Sequence, residues 1–172
     1  MRCRSASVLV PLLLAAGSCD LLPRTVYVEF DRETFNRQRA AWREAGVKDY
    51  EYRFSAIGFS YYYGTIRVGD GVFVEDVPDA GHDGIGFFEE YSTIDRVFDA
   101  IEKMFLRFDG TKQSKRDMYY TKIIVEYDRI NHIPTSIAYR YYCPPNLAVD
   151  GTFDYRIGNF KRLNQSDKAG LD

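Results

Sequence analysis

Two histidines, a late cysteine and a scatter of acids are the residues of this chain whose types could carry chemistry. His82 precedes Asp83 and lies a few residues before Glu89 and Glu90, while His132 stands in a separate turn. A metal centre needs several ligands converging at defined spacing, which two histidines in different loops do not supply. Solvated loop side chains are the plainer reading, and neither a metal nor a cofactor is expected. The strained G-x-S-x-G elbow of a hydrolase is absent. The run Gly81-His82-Asp83-Gly84-Ile85-Gly86 is no phosphate loop, because the glycine order differs from G-x-G-x-x-G, no lysine follows and Asp83 would repel phosphate. Cys143, between Tyr142 and Pro144-Pro145, has no neighbouring cation in sequence to lower its pKa and reads as a small apolar residue at a strand end. These residues point away from an enzyme.

Aromatic excess is the stronger signal. Fourteen tyrosines and twelve phenylalanines exceed what two helices need to bury. Tyr61-Tyr62-Tyr63, Tyr119-Tyr120 and Tyr139 with Tyr141-Tyr142 place rings on both sides of their strands, since successive strand residues point oppositely. Tyrosine offers large, stiff contact area with a polar end, suited to recognising protein or glycan. The expected binding surface is the sheet face without helices, with Tyr62, Arg67, Tyr120, Arg140 and Tyr142 near it; the competing reading is that tyrosines simply favour strands. A second candidate is the glycine-rich loop 79–88, carrying His82, Phe87 and Phe88, which could present a phenylalanine to a target cleft.

The elements that must hold these residues follow from periodicity. Asp31 can cap a first helix whose apolar face is Phe35, Gln38, Trp42 and Ala45, and Gly46 suits a left-handed C-cap. Tyr50, Tyr52, Phe54 and Ala56 alternate with Glu51, Arg53 and Ser55 as a strand. Residues 65–68 and 72–75 flank Asp70-Gly71, a type I′ hairpin signal. Ser92-Thr93-Ile94-Asp95 reads as a capping box opened by Ser92, ahead of an apolar stripe of Ile94, Val97, Phe98, Ile101, Met104, Phe105 and Phe108. Asp109-Gly110 closes that helix, and residues 111–116 read as a polar loop. Three strands follow, around residues 119–127, 137–142 and 153–160, the last two separated by a turn at Asp150-Gly151. Val26-Tyr27-Val28 could add a brief strand. The result is an α+β fold of order α-β-β-β-α-β-β-β: one antiparallel sheet of about six strands with two helices packed on one face. The two halves are compatible with an internal duplication.

The first residues address location. Arg2 and Arg4 make a positive start, residues 7–16 an apolar run, and Ala16-Gly17-Ser18 the small residues before a signal-peptidase cut. The run is too short for a bilayer span of about 20 apolar residues. With Cys19 directly after the small residues, the stretch resembles the bacterial lipoprotein signal, although Ala16 stands where that signal prefers leucine. The resemblance implies loss of residues 1–18, fatty acylation of Cys19, and a lipid-anchored protein of the bacterial cell membrane or outer membrane. Residues 19–29 then form the acylated cysteine and tether, 30–160 a single domain and 161–172 a polar tail. The cut removes two cations and no acid, taking the formal charge from −2 to −4. A chain so acidic, with mixed signs along it, excludes nucleic acid as an expected partner. Only Cys143 is then left as a thiol, which rules out a disulfide framework.

Trp42 ahead of Asp49-Tyr50-x-Tyr52, Thr93-Ile94-Asp95 with Phe98 and Ile101, and Val125-x-Tyr127-Asp128 leading to Pro134-Thr135-x-Ile137 resemble an uncharacterised bacterial domain of unknown function seen in small envelope lipoproteins. The resemblance covers roughly residues 30–160 and implies no activity or catalytic residue. In architecture alone, the helix-plus-sheet arrangement is similar to secreted inhibitors of β-lactamase. The function expected is a non-catalytic binding or scaffold module of the envelope, with an envelope protein or glycan as partner and an oligomeric state that the residues do not fix. The alternative is a proteinaceous enzyme inhibitor acting through loop 79–88, and an enzyme using His82 or His132 ranks below both.

Overall fold

Local signals in the chain set nearly every element boundary. The computed structural model describes residues 22–57, 62–79, 89–145 and 153–164. In chain order these form β1 (Arg24–Val26), α1 (Arg32–Ala45), β2 (Tyr50–Ile57), β3 (Tyr62–Gly69), β4 (Val72–Pro78), a short 3₁₀ turn (Glu89–Tyr91), α2 (Ile94–Phe108), β5 (Thr111–Gln113), β6 (Tyr119–Tyr127), β7 (Pro134–Tyr142) and β8 (Phe153–Arg162). Cys19, the loop residues His82, Phe87 and Phe88, the Asp150-Gly151 turn and residues 165–172 lie outside the described residues.

Asp31 caps α1 by accepting the Thr34 amide at 2.9 Å, and that hydrogen bond holds its carboxyl below the usual carboxylate range. Gly46 ends the helix in the left-handed conformation at φ 59°. The cap of α2 differs from the sequence expectation. Thr93, in extended backbone, accepts the Arg96 amide at 3.2 Å, whereas Ser92 is buried. The preceding 3₁₀ turn ties the Ser92 amide to the Glu89 carbonyl at 3.2 Å, so Thr93 is the first residue free to take the extended cap geometry. Asp70 and Gly71, both at positive φ, make the hairpin turn between β3 and β4, and Asp49 Oδ1 accepts the Asp70 amide at 3.0 Å.

Six strands form one antiparallel sheet in the order β4-β3-β2-β8-β7-β6. Each half is a helix followed by a three-stranded meander, and the two meanders lie side by side in the same sense, joined where β2 pairs with β8. Residues 111–113 are not loop but strand: β5 pairs antiparallel with β1 in a separate two-stranded ribbon. The pairing is held because the Gly110 amide donates to the Val26 carbonyl at 2.8 Å and the Val28 amide to Asp109 Oδ1 at 3.0 Å. Beyond it, Glu29 bridges to β6.

Both helices cover the same sheet face. Trp42 of α1 meets Tyr50 and Phe160 edge-on at 5.4 and 5.9 Å, and α2 sets Phe98 against Tyr127 and Phe108 against Tyr120. Alternation then decides the rest: Tyr50, Tyr52, Phe54 and Ala56 of β2, and Ile66 and Val68 of β3, are buried under the helices. Hydroxyls in this layer do structural work. Tyr50 Oη accepts the Ile94 amide at 3.0 Å, satisfying a donor at the start of α2, while Tyr52 donates to the Tyr91 carbonyl. Burial raises both hydroxyls above the usual phenol range, so they remain protonated.

Gly64 is fixed by this packing. A Cβ there would overlap the Tyr62 hydroxyl and lie 2.8 Å from its Cζ, and the Asp76 carboxylate to which Tyr62 donates stands beside it. Gly64→Ala is expected to destabilise the fold by about 1–3 kcal/mol through overpacking. In urea unfolding, the double variant with Tyr62→Phe should lose less than the sum of the two single losses. Strict additivity would show that the hydroxyl is not the obstacle.

Candidate binding surface

With the helices on one face, the other face of the sheet carries the alternate residues of every strand. The structure sorts the five sequence candidates into two groups. Arg67 sits on the helix-free face between Glu51 and Glu75, at 3.2 and 2.5 Å, and these bonds raise its pKa. Arg140 lies on the same face, 3.1 Å from Asp154. Tyr142 is also there, stacked at 5.0 Å on Tyr119, with the Arg24 guanidinium 5.3 and 5.7 Å from the two ring centres.

Tyr62 and Tyr120 are corrections. Tyr62 is 2% exposed on the helix side, against Phe54, because it shares the parity of Ile66 and Val68 through an unbroken β3. Burial and the Asp76 carboxylate push its hydroxyl well above the usual phenol range. Tyr120 faces α2, 4.9 Å from Phe108, because β6 carries a bulge: Tyr120 pairs with Tyr141, yet Lys122 pairs with Arg140. The extra residue reverses the parity of the strand's first two residues, so Tyr119 goes to the helix-free side beside Tyr142. Away from the Tyr119–Tyr142 stack the helix-free face is therefore largely charged, laced by the pairs Arg67–Glu51, Arg67–Glu75, Arg53–Asp79, Arg140–Asp154 and Lys122–Glu29. Exposed pairs of this kind contribute only about 0–1 kcal/mol each.

A concavity opens on this face. The β7–β8 ladder stops at Ser136↔Arg156, so Thr135 and the residues of β8 after Arg156 lie past its last pair. There, Arg53 and Ser55 of β2, Thr135 of β7, and Arg156, Gly158 and Asn159 of β8 line a groove of about 240 Å³. A second irregularity shapes it. Arg53 pairs with Gly158 but Glu51 with Lys161, so Asn159 and Phe160 together oppose Tyr52, and Asn159 takes positive φ at 50°. Gly158 has open space where a side chain would project, which leaves the groove floor bare. Across the strands Ser55, Arg156 and Ser136 stand in one row. Among the described residues Arg156 enters none of the ion pairs, whereas Arg53 is held by Asp79. The groove thus collects two guanidinium groups, two hydroxyls and an amide, a set suited to carboxylate or phosphate oxygens.

Sequence reasoning placed Arg53 and Ser55 on this side without giving them a role, and missed Gly158 and Asn159. A glycine inside a strand pattern was the available sign of a bulge.

The remaining candidates are accounted for locally. His132 Nδ1 lies 2.9 Å from Gln38 Oε1 and ties the β6–β7 turn to α1. In the same turn Asp128 accepts the Ile130 amide at 2.8 Å and the Asn131 amide at 2.5 Å, and the Asn131 bond leads in drawing its carboxyl below the usual range. Cys143 forms no disulfide among the described residues, and its partly exposed sulfur approaches the Pro144 carbonyl at 3.6 Å. Of loop 79–88 only Asp79 is described. Among the described residues no three of His, Cys, Asp or Glu gather as a metal-ligating group, and no helix is long and apolar enough to cross a membrane. Comparison with family models, with curated proteins and with solved structures finds no match.

Proposed function

We propose that this chain is a lipid-anchored, non-catalytic binding module of the bacterial envelope, and that it recognises an acidic group on an envelope protein or glycan through the Arg53–Arg156 groove. The observation that carries the reading is the position of that groove. It opens on the one sheet face that neither helix covers, and Arg156 brings to it a guanidinium that no described acid neutralises. Its lining groups are donors fixed on β-strands, an arrangement that binds oxygens without needing a proton relay. The lipobox-like stretch before Cys19 supports the envelope setting.

The reading is tested by photocrosslinking in intact cells. A photoreactive residue at Ser136, beside the groove, should give a discrete adduct, and the same residue at Glu44, exposed on α1, should not. Equal yields from both positions, or none from Ser136, would contradict it.

A further inference from the structure

We propose that the end of the domain formed by the turn between β5 and β6 rests on the membrane surface and contacts the headgroups of anionic phospholipids. The inference depends on acylation of Cys19 for the anchor itself. Four residues separate Cys19 from Arg24, where β1 begins, so the acylated residue lies at most roughly 18 Å from that strand. The exit point is rigid. β1 is locked to β5, its first residue Arg24 pairs with Gln113, and Arg24 donates to the Tyr119 hydroxyl while lying over the Tyr119 and Tyr142 rings. A short tether on a docked strand holds this end, rather than any other, against the bilayer.

What the tether brings down is basic in an otherwise acidic protein. Lys112, Lys115 and Arg116 are all exposed here. The one acid of the turn, Asp117, directs its carboxylate to the Ser114 amide at 3.2 Å. Leu22 and Met118, 72% and 41% exposed, flank these cations with apolar side chains. Cations around exposed apolar groups suit the headgroup layer of an anionic leaflet, whose field decays within a Debye length and is felt only by groups held close. The acids of the tether and the turn, Asp20 and Asp117, are fewer than the cations Arg24, Lys112, Lys115 and Arg116.

The test uses the acylated chain extracted from membranes and reconstituted in vesicles of three parts phosphatidylcholine to one part phosphatidylglycerol. A fluorophore is placed at Met118→Cys or at Ile130→Cys, each with Cys143→Ser. Ile130 occupies the far turn of the β6–β7 hairpin, roughly 27 Å along the strand from Tyr119. A headgroup spin label should quench the probe at position 118 and spare that at 130. The difference should fall in pure phosphatidylcholine and in the triple variant Lys112→Glu, Lys115→Glu, Arg116→Glu. Equal quenching at both positions, or quenching indifferent to lipid charge and to the triple variant, overturns the proposal. A purified chain without acyl mass would refute the anchor instead. The surface is then tested by sedimenting that chain with the anionic vesicles, where the triple variant should bind on the order of a hundredfold more weakly. Absence of binding, or binding that the variant keeps, overturns the proposal in that case too.

Discussion

Alanine in place of Cys19 should leave the chain unacylated and, once salt screens the basic end of the domain, move it from the membrane fraction to the soluble fraction. This is the largest effect expected of any single substitution, because covalent lipid supplies the salt-resistant part of the proposed anchoring and each buried methylene contributes about 0.8 kcal/mol. Residue 19 precedes the first strand, β1, so the unfolding midpoint of the released chain should match that of the parent. Metabolic labelling with a radioactive fatty acid and fractionation check both halves of the expectation. Label that persists on Cys19→Ala, or a parent chain that carries none, would remove the lipoprotein reading while leaving the fold account intact.

The second large effect concerns Trp42. Its side chain is 2% exposed, meets Tyr50 and Phe160 edge-on, and donates from Nε1 to Asp95 Oδ2 at 3.2 Å. It therefore joins α1, the two central strands and the first turn of α2. Trp42→Ala should cost about 3–5 kcal/mol, the range for emptying a buried aromatic site. Against a total stability of about 5–15 kcal/mol that is enough to leave a substantial unfolded fraction. Trp42→Phe keeps much of the ring packing and forgoes the Asp95 bond, so about 0.5–1.5 kcal/mol of that loss is attributable to the bond. Denaturant unfolding of the two variants separates these contributions. A loss below about 1 kcal/mol for Trp42→Ala would mean that Trp42 is not the junction described here.

The fold was readable where one strong local signal met an alternating pattern. Asp31 and Gly46 bounded α1, Asp70-Gly71 fixed the β3–β4 hairpin, and the stripe from Ile94 to Phe108 defined α2 and the face it buries. The binding face was harder to read, because one inserted residue in a strand exchanges its two sides. The bulge in β6 sent Tyr120 inward and Tyr119 outward against simple alternation. Tyr62 had a different cause: counting back from Ile66 places it inward, provided that β3 runs unbroken through Gly64, a residue type that ordinarily weakens a strand. The β1–β5 ribbon was hidden because its three-residue strands are too short for periodicity and are paired over a long sequence separation. The groove at Arg156 depends on where the β7–β8 ladder ends and on a left-handed Asn159, neither of which composition or period reveals.

That groove gives the account its central claim, and Arg156→Glu tests it most directly. Crosslinking from Ser136 in intact cells is measured in the parent and in this variant, with thermal unfolding of both. Losing a charged hydrogen bond costs about 1.5–3 kcal/mol, so the adduct should fall about tenfold or more while the unfolding midpoint stays unchanged, because Arg156 is exposed and enters no ion pair among the described residues. An adduct of undiminished yield in a folded Arg156→Glu chain would contradict the assignment of this groove as the recognition site.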